Sequence, residues 1–157
     1  EDLNKSFDRL RSRLREKLGV TEVPLRNDLG VWFKLRDALM NDEVVLIQGD
    51  RVLPGQKGVA VPFLEGHIEL PTGPVKLAMA TGAPIVPIFS IRTKLGSCRV
   101  EIEAPVDVER GTGRVTADHP AICATAKAIE RRVKAYPEQW MVYERAWIED
   151  QPSEGSE

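Results

Sequence analysis

The chain has 157 residues, of which 42% are hydrophobic and 29% are charged, and its formal net charge is −2. That length and balance fit one globular domain with its own core and exclude wholesale disorder. No apolar run approaches the ~20 residues of a membrane-spanning helix, and the charge balance gives no global basic field for nucleic acid. The two cysteines, Cys98 and Cys123, lack metal-ligand spacing and are expected to be reduced thiols.

The N-terminal part predicts two helices and a short strand. Apolar residues three or four apart predict a surface-lying amphipathic helix that ends near Gly19. These residues are Leu3, Phe7, Leu10, Leu14 and Leu18. Residues 21–25 predict a strand, and the second helix comes next, with Asn27 or Asp28 as its cap. We expect it to bury Val31, Trp32, Leu35 and Leu39. The chain begins at Glu1 inside a helical pattern, which indicates part of a longer protein.

The middle of the chain predicts strands that alternate with helices. Residues 43–48 are a continuous apolar run, typical of a strand buried on both faces of a parallel sheet. Further strands are predicted at residues 59–64, 85–91 and 99–104. Pro71 to Pro74 begins a helix that ends at Gly82. We therefore predict an α/β fold, a mixed and largely parallel sheet flanked by helices, in one domain over residues 1–150.

The C-terminal part predicts a long helix and an aromatic segment. Residues 109–117 are loop-like, and Thr116 or Asp118 caps a helix with Pro120 in its first turn. Its buried stripe is Ile122, Ala126, Ile129 and Val133. After Pro137 we predict a short helix whose aromatic side belongs to the core or forms an interfacial patch that touches lipid. That side carries Trp140, Met141, Tyr143 and Trp147. Residues 151–157 are expected to be a disordered tail.

Two turns carry the candidate site, because ligands bind outside the carboxyl ends of parallel strands. Asp50 and Arg51 come after the predicted strand 43–48 and form either a local salt bridge or part of a site. Arg26 and Lys57 are the cations that would join Arg51, and three such cations suit an anionic lipid head group or the phosphates of an acyl carrier's arm. At the second turn, Thr72 and Gly73 begin a helix that could hold an anion or be only a well-made helix start.

The two histidines are poor candidates for a catalytic base. Neither His67 nor His119 has a carboxylate four or five positions further on, and both are expected to be solvated surface residues. No serine or cysteine lies in a nucleophile-elbow context, and neither common glycine-rich phosphate loop is present.

Four segments nevertheless resemble one family. They read VVLIQGDR at 44–51, KGVAVPFLEG at 57–66, PTGPVKLAMATGAPIVPIF at 71–89 and YPEQWMVYERAW at 136–147. In this order they resemble the bacterial lipid A biosynthesis acyltransferases, which are lauroyl and myristoyl transferases with related mannosyl-lipid enzymes, within the glycerolipid acyltransferase-like superfamily. The resemblance runs from about Leu18 to Ile148.

The resemblance implies transfer of a fatty acyl group from acyl carrier protein or coenzyme A to a glycolipid hydroxyl. The enzyme would act at the cytoplasmic face of the inner membrane, peripherally or through an anchor in an absent N-terminal part. No metal or further cofactor is implied. The superfamily's Glu-Gly-Thr-Arg-like block falls on Gln48–Arg51, with Gln in place of Glu, and its acceptor-binding arginine falls on Arg26. Its Pro-Ile-Val-Pro block is Pro84–Pro87, with a structural role.

The family's His-x4-Asp/Glu motif is absent from this chain. In that motif the histidine takes the proton of the acceptor hydroxyl while the carboxylate orients the ring. We therefore expect no catalytic residue here and no transferase activity of the chain alone. An alternative is a non-catalytic lipid-binding module of the same fold, and a third is a structural or partner-binding role of the aromatic helix. Nucleic-acid binding has no support.

Overall fold

The structure, a computed structural model, describes residues 2–23, 29–53, 56–142 and 147–148. The chain divides into two compact units, Glu1–Lys34 and Leu35–Glu157, and each is described by itself. The single domain over residues 1–150 stays a prediction. The predicted tail, residues 151–157, lies outside the described residues.

The first unit confirms the amphipathic helix but not the short strand after it. Helix α1 spans Asp2–Lys17, and the left-handed Gly19 (φ 73°) donates its N–H to the Glu16 carbonyl oxygen over 2.9 Å. Residues 21–23 are not a strand, and the rest of that predicted strand lies outside the described residues. Glu22 accepts hydrogen bonds from Ser12 (2.6 Å) and Arg15, and these hold the pKa of its carboxyl below the usual value.

Helix α2, Leu29–Met40, runs across the boundary of the two units. The predicted burial of its apolar stripe is wrong, because none of its residues is buried and Trp32 is exposed. Apolar side chains also occur at Phe33 and Met40, away from one stripe, so a single neighbouring element could not cover them all. The predicted caps Asn27 and Asp28 lie outside the described residues.

The second unit contains two small antiparallel sheets. Strands β1 (Gly58–Phe63) and β2 (Gly66–Pro71) form a hairpin, and β5 (Trp147–Ile148) pairs with the other edge of β2. Strands β3 (Ile88–Lys94) and β4 (Ser97–Ile102) form the second hairpin. Mixed α and β structure is confirmed, but the largely parallel sheet is not supported, since every strand pair among the described residues is antiparallel. Short hairpin loops permit only this orientation.

Residues 43–48 are the clearest departure from expectation. They form no strand, and Val44 and Leu46 are 84% and 75% exposed. The prediction of a strand buried on both faces is therefore wrong for this structure. The apolar run has no strand partner in the part of the chain that the structure describes, so its backbone is not held in a ladder.

Several strand limits also shift. The predicted strand at residues 85–91 begins only at Ile88, and Ile85 instead forms an isolated antiparallel bridge with Val106. The strand predicted at 99–104 is β4, two residues earlier. Strand β2 was not predicted, and it places His67 opposite Pro62 and Ile148.

The core lies between the first hairpin and two helices. Alternate residues of β1 and β2 point inward, among them Phe63 and Leu70, and pack with residues of α3 (Gly73–Thr81) and α4 (Pro120–Ala135). Helix α3 and its stop at Gly82 are confirmed, and so is the buried stripe of α4. That stripe is Ile122, Ala126, Ile129 and Val133.

The ends of α4 differ from prediction. His119 caps the helix, because its Nδ1 accepts the Ala121 N–H over 3.2 Å, so Thr116 and Asp118 are not the cap. After α4 the chain forms a 3-10 turn at Pro137–Gln139, and residues 140–142 are not helical. The predicted aromatic helix is therefore wrong within the described residues, since Trp147 lies in β5.

Candidate functional site

An apolar groove of about 570 Å³ lies beside the predicted site, and we call it the main groove. It lies between residues 47–50, the start of α3, strand β3 and α4. Its apolar lining includes Ile88, Ile91, Ile122, Ile129 and Val133. Helix α4 contributes from Ile122 to Val133, a rise of about 17 Å at 1.5 Å per residue. The groove is thus long, apolar and open to solvent along part of its length.

A second groove of about 430 Å³ adjoins it. The lining residues that the two grooves share are Ile47, Gln48, Pro74, Ile85, Val86 and Ile88. The exposed apolar run at residues 43–48 therefore reaches both grooves through Ile47 and Gln48.

Both predicted turns reach the main groove, and the first of them brings polar side chains to it. Gln48, Gly49 and Asp50 line it together with Pro71 and Pro74. The turn after the apolar run and the turn that begins α3 therefore face one cavity, although no parallel sheet brings them together. Carboxylate and amide groups beside an apolar channel can orient the polar end of an amphipathic ligand.

The predicted site residues take different positions. Arg51 is half-buried, and its Nε has no hydrogen-bond partner among the described residues. Lys57 is exposed, and its carbonyl oxygen accepts the N–H and the Oγ1 hydroxyl of Thr72, each over 3.4 Å. Gly73 is the first residue of α3. Arg26 lies outside the described residues, so the convergence of the three cations and the roles of all six residues stay predictions.

Thr72 explains part of the second turn. It is buried and precedes α3 without a side-chain cap, because its hydroxyl is turned to Lys57 instead. The free N–H groups at the start of α3 are therefore not satisfied by Thr72 Oγ1. The structure holds this turn to the start of β1 through the Lys57 carbonyl oxygen.

The histidines are placed by secondary structure. The Nδ1 of His119 is occupied as the acceptor that caps α4. His67 lies in β2, on the side that alternates with the buried Ile68. Neither lines the main groove. Both positions have a structural explanation.

Arg132 is a groove residue that the sequence reasoning did not identify. Its guanidinium pairs with Glu101 and, over 3.1 Å, with Glu103, and it lies 5.4 Å above the Phe89 ring centroid. Glu103 also pairs with Arg131. These contacts join β4 to α4 and fix one wall of the groove. The signal in the sequence was weak, because the partners are separated from Arg132 by about thirty positions and the charges look like a solvated helix face.

Gln139 and Tyr136 hold the end of α4 against the second hairpin. The Gln139 side-chain amide accepts the Arg92 N–H (2.7 Å) and donates to the Arg92 carbonyl oxygen (3.1 Å), as a strand partner would. Arg99 donates to the Tyr136 hydroxyl oxygen over 2.9 Å and pairs with Glu101, whose carboxylate raises the pKa of Arg99. Both Gln139 and Tyr136 line the main groove.

Three aromatic side chains, Phe63, Trp140 and Trp147, pack against one another beside the main groove. Trp140 lines the groove, and its ring centroid lies 5.4 Å from that of Phe63 and 6.4 Å from that of Trp147. Trp147 is exposed, as is Met141, and Tyr143 lies outside the described residues. Trp140 therefore belongs partly to the core, as one of the two sequence alternatives proposed, and partly to the groove.

None of the described helices has the length and apolar character needed to cross a bilayer. Within the same residues no cluster of three or more histidine, cysteine or acidic side chains could hold a metal ion.

Comparison with known proteins gives consistent results. Residues 1–149 match the family model described as bacterial lipid A biosynthesis acyltransferase. Over 138 residues, 87% of this chain, the sequence is 30% identical to the phosphatidylinositol mannoside acyltransferase of Mycobacterium tuberculosis and to that of Mycolicibacterium smegmatis. The aligned region covers 41% and 43% of those two proteins, so the chain spans less than half the length of the curated relatives it matches.

Proposed function

The chain belongs to the bacterial lipid A biosynthesis acyltransferase family, and from that premise we propose that it forms the acyl-chain-binding part of an enzyme that acylates a glycolipid. The donor is a thioester of acyl carrier protein or coenzyme A, and the acceptor is a glycolipid hydroxyl. The names of the two relatives support a mannosylated glycolipid as the acceptor class. The whole protein would work at the cytoplasmic face of the inner membrane.

The observation that carries the proposal is the main groove. Aliphatic side chains from α3, β3, α4 and the segment before β3 make up much of its lining, and it extends along about three turns of α4. A fatty acyl chain matches such a lining because each methylene moved out of water contributes about 0.8 kcal/mol. Polar lining residues include Gln48 and Asp50 at one turn and Arg132, Tyr136 and Gln139 at the end of α4 and just after it, and such groups can orient the polar end of a long apolar ligand.

Asp50 and Arg51 support the location of the reacting end. Asp50 lines the groove, and Arg51 comes next in the chain, with a guanidinium Nε that no described residue accepts from. We assign Arg51 to a phosphate or head-group oxygen of the donor or acceptor, because guanidinium groups bind such oxygens with a fixed fork of N–H donors. Arg26, Lys57, Thr72 and Gly73 complete this side of the proposed site.

The reaction itself needs a base that we do not assign to residues 1–157. The acceptor hydroxyl oxygen would attack the thioester carbonyl carbon, the hydroxyl proton would pass to the base, and the thiolate would leave. The capping role of His119 and the position of His67 in β2 support assigning the base to another part of the whole protein. Residues 1–157 thus bind and orient, and the acid–base step belongs to the rest of the whole protein.

Ile88 offers a direct test in the whole protein. It lines the main groove and is 49% exposed, whereas Ile102, its partner on β4, is 67% exposed and does not line the groove. We expect Ile88→Glu to weaken binding of a long-chain acyl-coenzyme A by about tenfold or more, since it places a charge in the apolar channel. The matched variant Ile102→Glu should bind within about twofold of the parent, because its charge faces water.

Equal losses from the two variants would contradict the assignment of the groove. Transfer measured with the same donor distinguishes the alternatives. Loss of transfer in parallel with binding supports the enzyme, while binding without any transfer by the whole parent protein would identify a lipid-binding module of the same fold.

A further inference from the structure

Helix α1 presents an apolar stripe that nothing in the described part of its unit covers. The side chains of Phe7, Leu10, Leu14 and Leu18 are between 53% and 80% exposed. Their spacing of three and four places them along one side of the helix. Four large exposed apolar residues in one line exceed the scattered exposure normal for a protein surface.

The charges around this stripe point to its occupant. Arg11 follows Leu10, Leu14 is placed between Arg13 and Arg15, and Lys17 precedes Leu18. A neighbour in sequence is rotated by about 100° around the helix axis, so these cations flank the stripe on both sides. Helix α1 holds six basic and three acidic side chains, although the whole chain carries a net charge of −2.

Local ion pairs neutralise only part of the positive charge of α1. Arg11 pairs with Asp8 over 3.1 Å, and Arg15 pairs with Glu22. Within residues 5–23, by contrast, Arg13 and Lys17 make no ion pair. These two side chains are four positions apart and can reach the same level beside the stripe. Long basic side chains can keep their charged ends at a polar boundary while their stems lie against apolar material.

We infer that α1 is an interfacial helix that lies in the surface of an anionic bilayer. The stripe enters the boundary between head groups and acyl chains, and Arg13 and Lys17 contact lipid phosphates on its flank. Charge complementarity selects a lipid surface over a second copy of this chain, because two copies would oppose basic flanks. The inference rests on the proposed function only in taking the acceptor to be a membrane lipid. It assigns contact with the membrane to α1, and contact with the lipid phosphates to Arg13 and Lys17.

A position-specific probe tests the inference even if other parts of the whole protein also touch membrane. Nitroxide labels are placed in the full-length protein at Leu14→Cys on the stripe or at Lys5→Cys on the opposite side, with Cys98 and Cys123 replaced by alanine. With vesicles of phosphatidylcholine and phosphatidylglycerol, the Leu14 label should become accessible to oxygen and inaccessible to a water-soluble nickel reagent. The Lys5 label should stay accessible to nickel.

Matched charge variants test the role of the flank. R13Q/K17Q and K5Q/R9Q each remove two positive charges, but only the first pair borders the stripe. We expect R13Q/K17Q to raise the anionic lipid concentration needed for half-insertion of the Leu14 label about tenfold or more. K5Q/R9Q should change it by less than about threefold. Raising salt from about 0.1 M to about 1 M should weaken insertion, because the Debye length falls from about 10 Å to about 3 Å.

Three outcomes would overturn the inference. The first is that both labels remain accessible to nickel with anionic vesicles, the second is that the two charge pairs have equal effects, and the third is that the Leu14 label is shielded from both reagents before any lipid is added. The last would show that protein covers the stripe. Acyl transfer to a detergent-dispersed acceptor is measured in parallel, so that failure of membrane insertion is separated from failure of the proposed reaction.

Discussion

Replacement of Gly82 by alanine tests the turn that directs the groove wall. Gly82 ends α3 with φ 75°, and residues 83–86 then line the second groove. A Cβ at this position would lie 2.4 Å from Arg110 Nε, whose guanidinium donates to the Thr81 carbonyl oxygen over 2.8 Å. Alanine would therefore add left-handed backbone strain and displace Arg110 from that hydrogen bond.

Gly96 supplies the matched control. Its φ is 74°, nearly the same as that of Gly82, but a Cβ there would meet nothing within 4 Å. The left-handed conformation costs a non-glycine residue about 1–2 kcal/mol, and the smaller entropy of the unfolded alanine chain returns about 0.4–1 kcal/mol. We expect Gly96→Ala to lower the free energy of unfolding by about 1 kcal/mol. Gly82→Ala should cost about 2 kcal/mol, because a hydrogen bond worth about 1 kcal/mol is also lost.

Urea unfolding followed by tryptophan fluorescence gives both values, and a double-mutant cycle isolates the contact. In an Arg110→Ala background, Gly82→Ala should cost no more than Gly96→Ala does in the parent. Equal costs of the two glycine substitutions in the parent would refute the close approach of Arg110. A neutral Gly82→Ala would refute the left-handed end of α3.

Three further substitutions test other contacts of the same structure. Phe63→Ala should lower the free energy of unfolding by about 3–5 kcal/mol, since Phe63 is 1% exposed, and urea denaturation measures it. Gln139→Ala should cost about 1–2 kcal/mol in the same assay, because two hydrogen bonds to the Arg92 backbone are lost. Glu130→Gln should be less stable than the parent at neutral pH, and the difference should close as the pH falls below 4.5, because Lys134 lowers the pKa of the folded Glu130 below that ordinary value.

Each has an outcome that would contradict it. A loss under about 1 kcal/mol for Phe63→Ala would mean that the hairpin is not packed in the core. If hydrogen exchange at the Arg92 amide were unchanged in Gln139→Ala, the hydrogen bond from the Arg92 N–H to the Gln139 side chain would not exist in solution. A carboxyl group whose pKa is lowered by folding stabilises the folded state above its unfolded-state pKa, and this stabilisation is lost as the pH falls through its folded-state pKa. A stability difference between Glu130→Gln and the parent that grew as the pH fell would therefore contradict the prediction.

Helices α1, α3 and α4 were predictable because their signals are local. The stripe of α4 repeats at helical spacing, and α3 begins with proline and ends with glycine, so both could be placed from neighbouring residues. The cap of α4 was not assigned to His119, because the choice between adjacent polar residues depends on backbone geometry that the sequence does not display.

Strand pairing and the groove depend on distant contacts. The run at residues 43–48 indicates apolar surroundings, but composition does not say whether a sheet or a ligand groove supplies them. The sequence of β2 does alternate between apolar and polar residues, with Ile68 and Leu70 inward and Glu69 outward. This alternation is short, and it did not lead to the prediction of a strand. The hydrogen bonds between the Gln139 side chain and the Arg92 backbone join residues 47 positions apart, and no local sequence pattern predicts them.

Photoaffinity labelling tests the central claim most directly. The whole protein is mixed with an acyl-coenzyme A that carries a diazirine within its acyl chain, irradiated and mapped by mass spectrometry. The account predicts labels on β3 and α4 residues of the main groove, such as Ile91, Ile129 and Val133, and competition by unlabelled acyl-coenzyme A. Competed labels confined to other surfaces, with the groove unmodified, would contradict the assignment of the groove to the acyl chain.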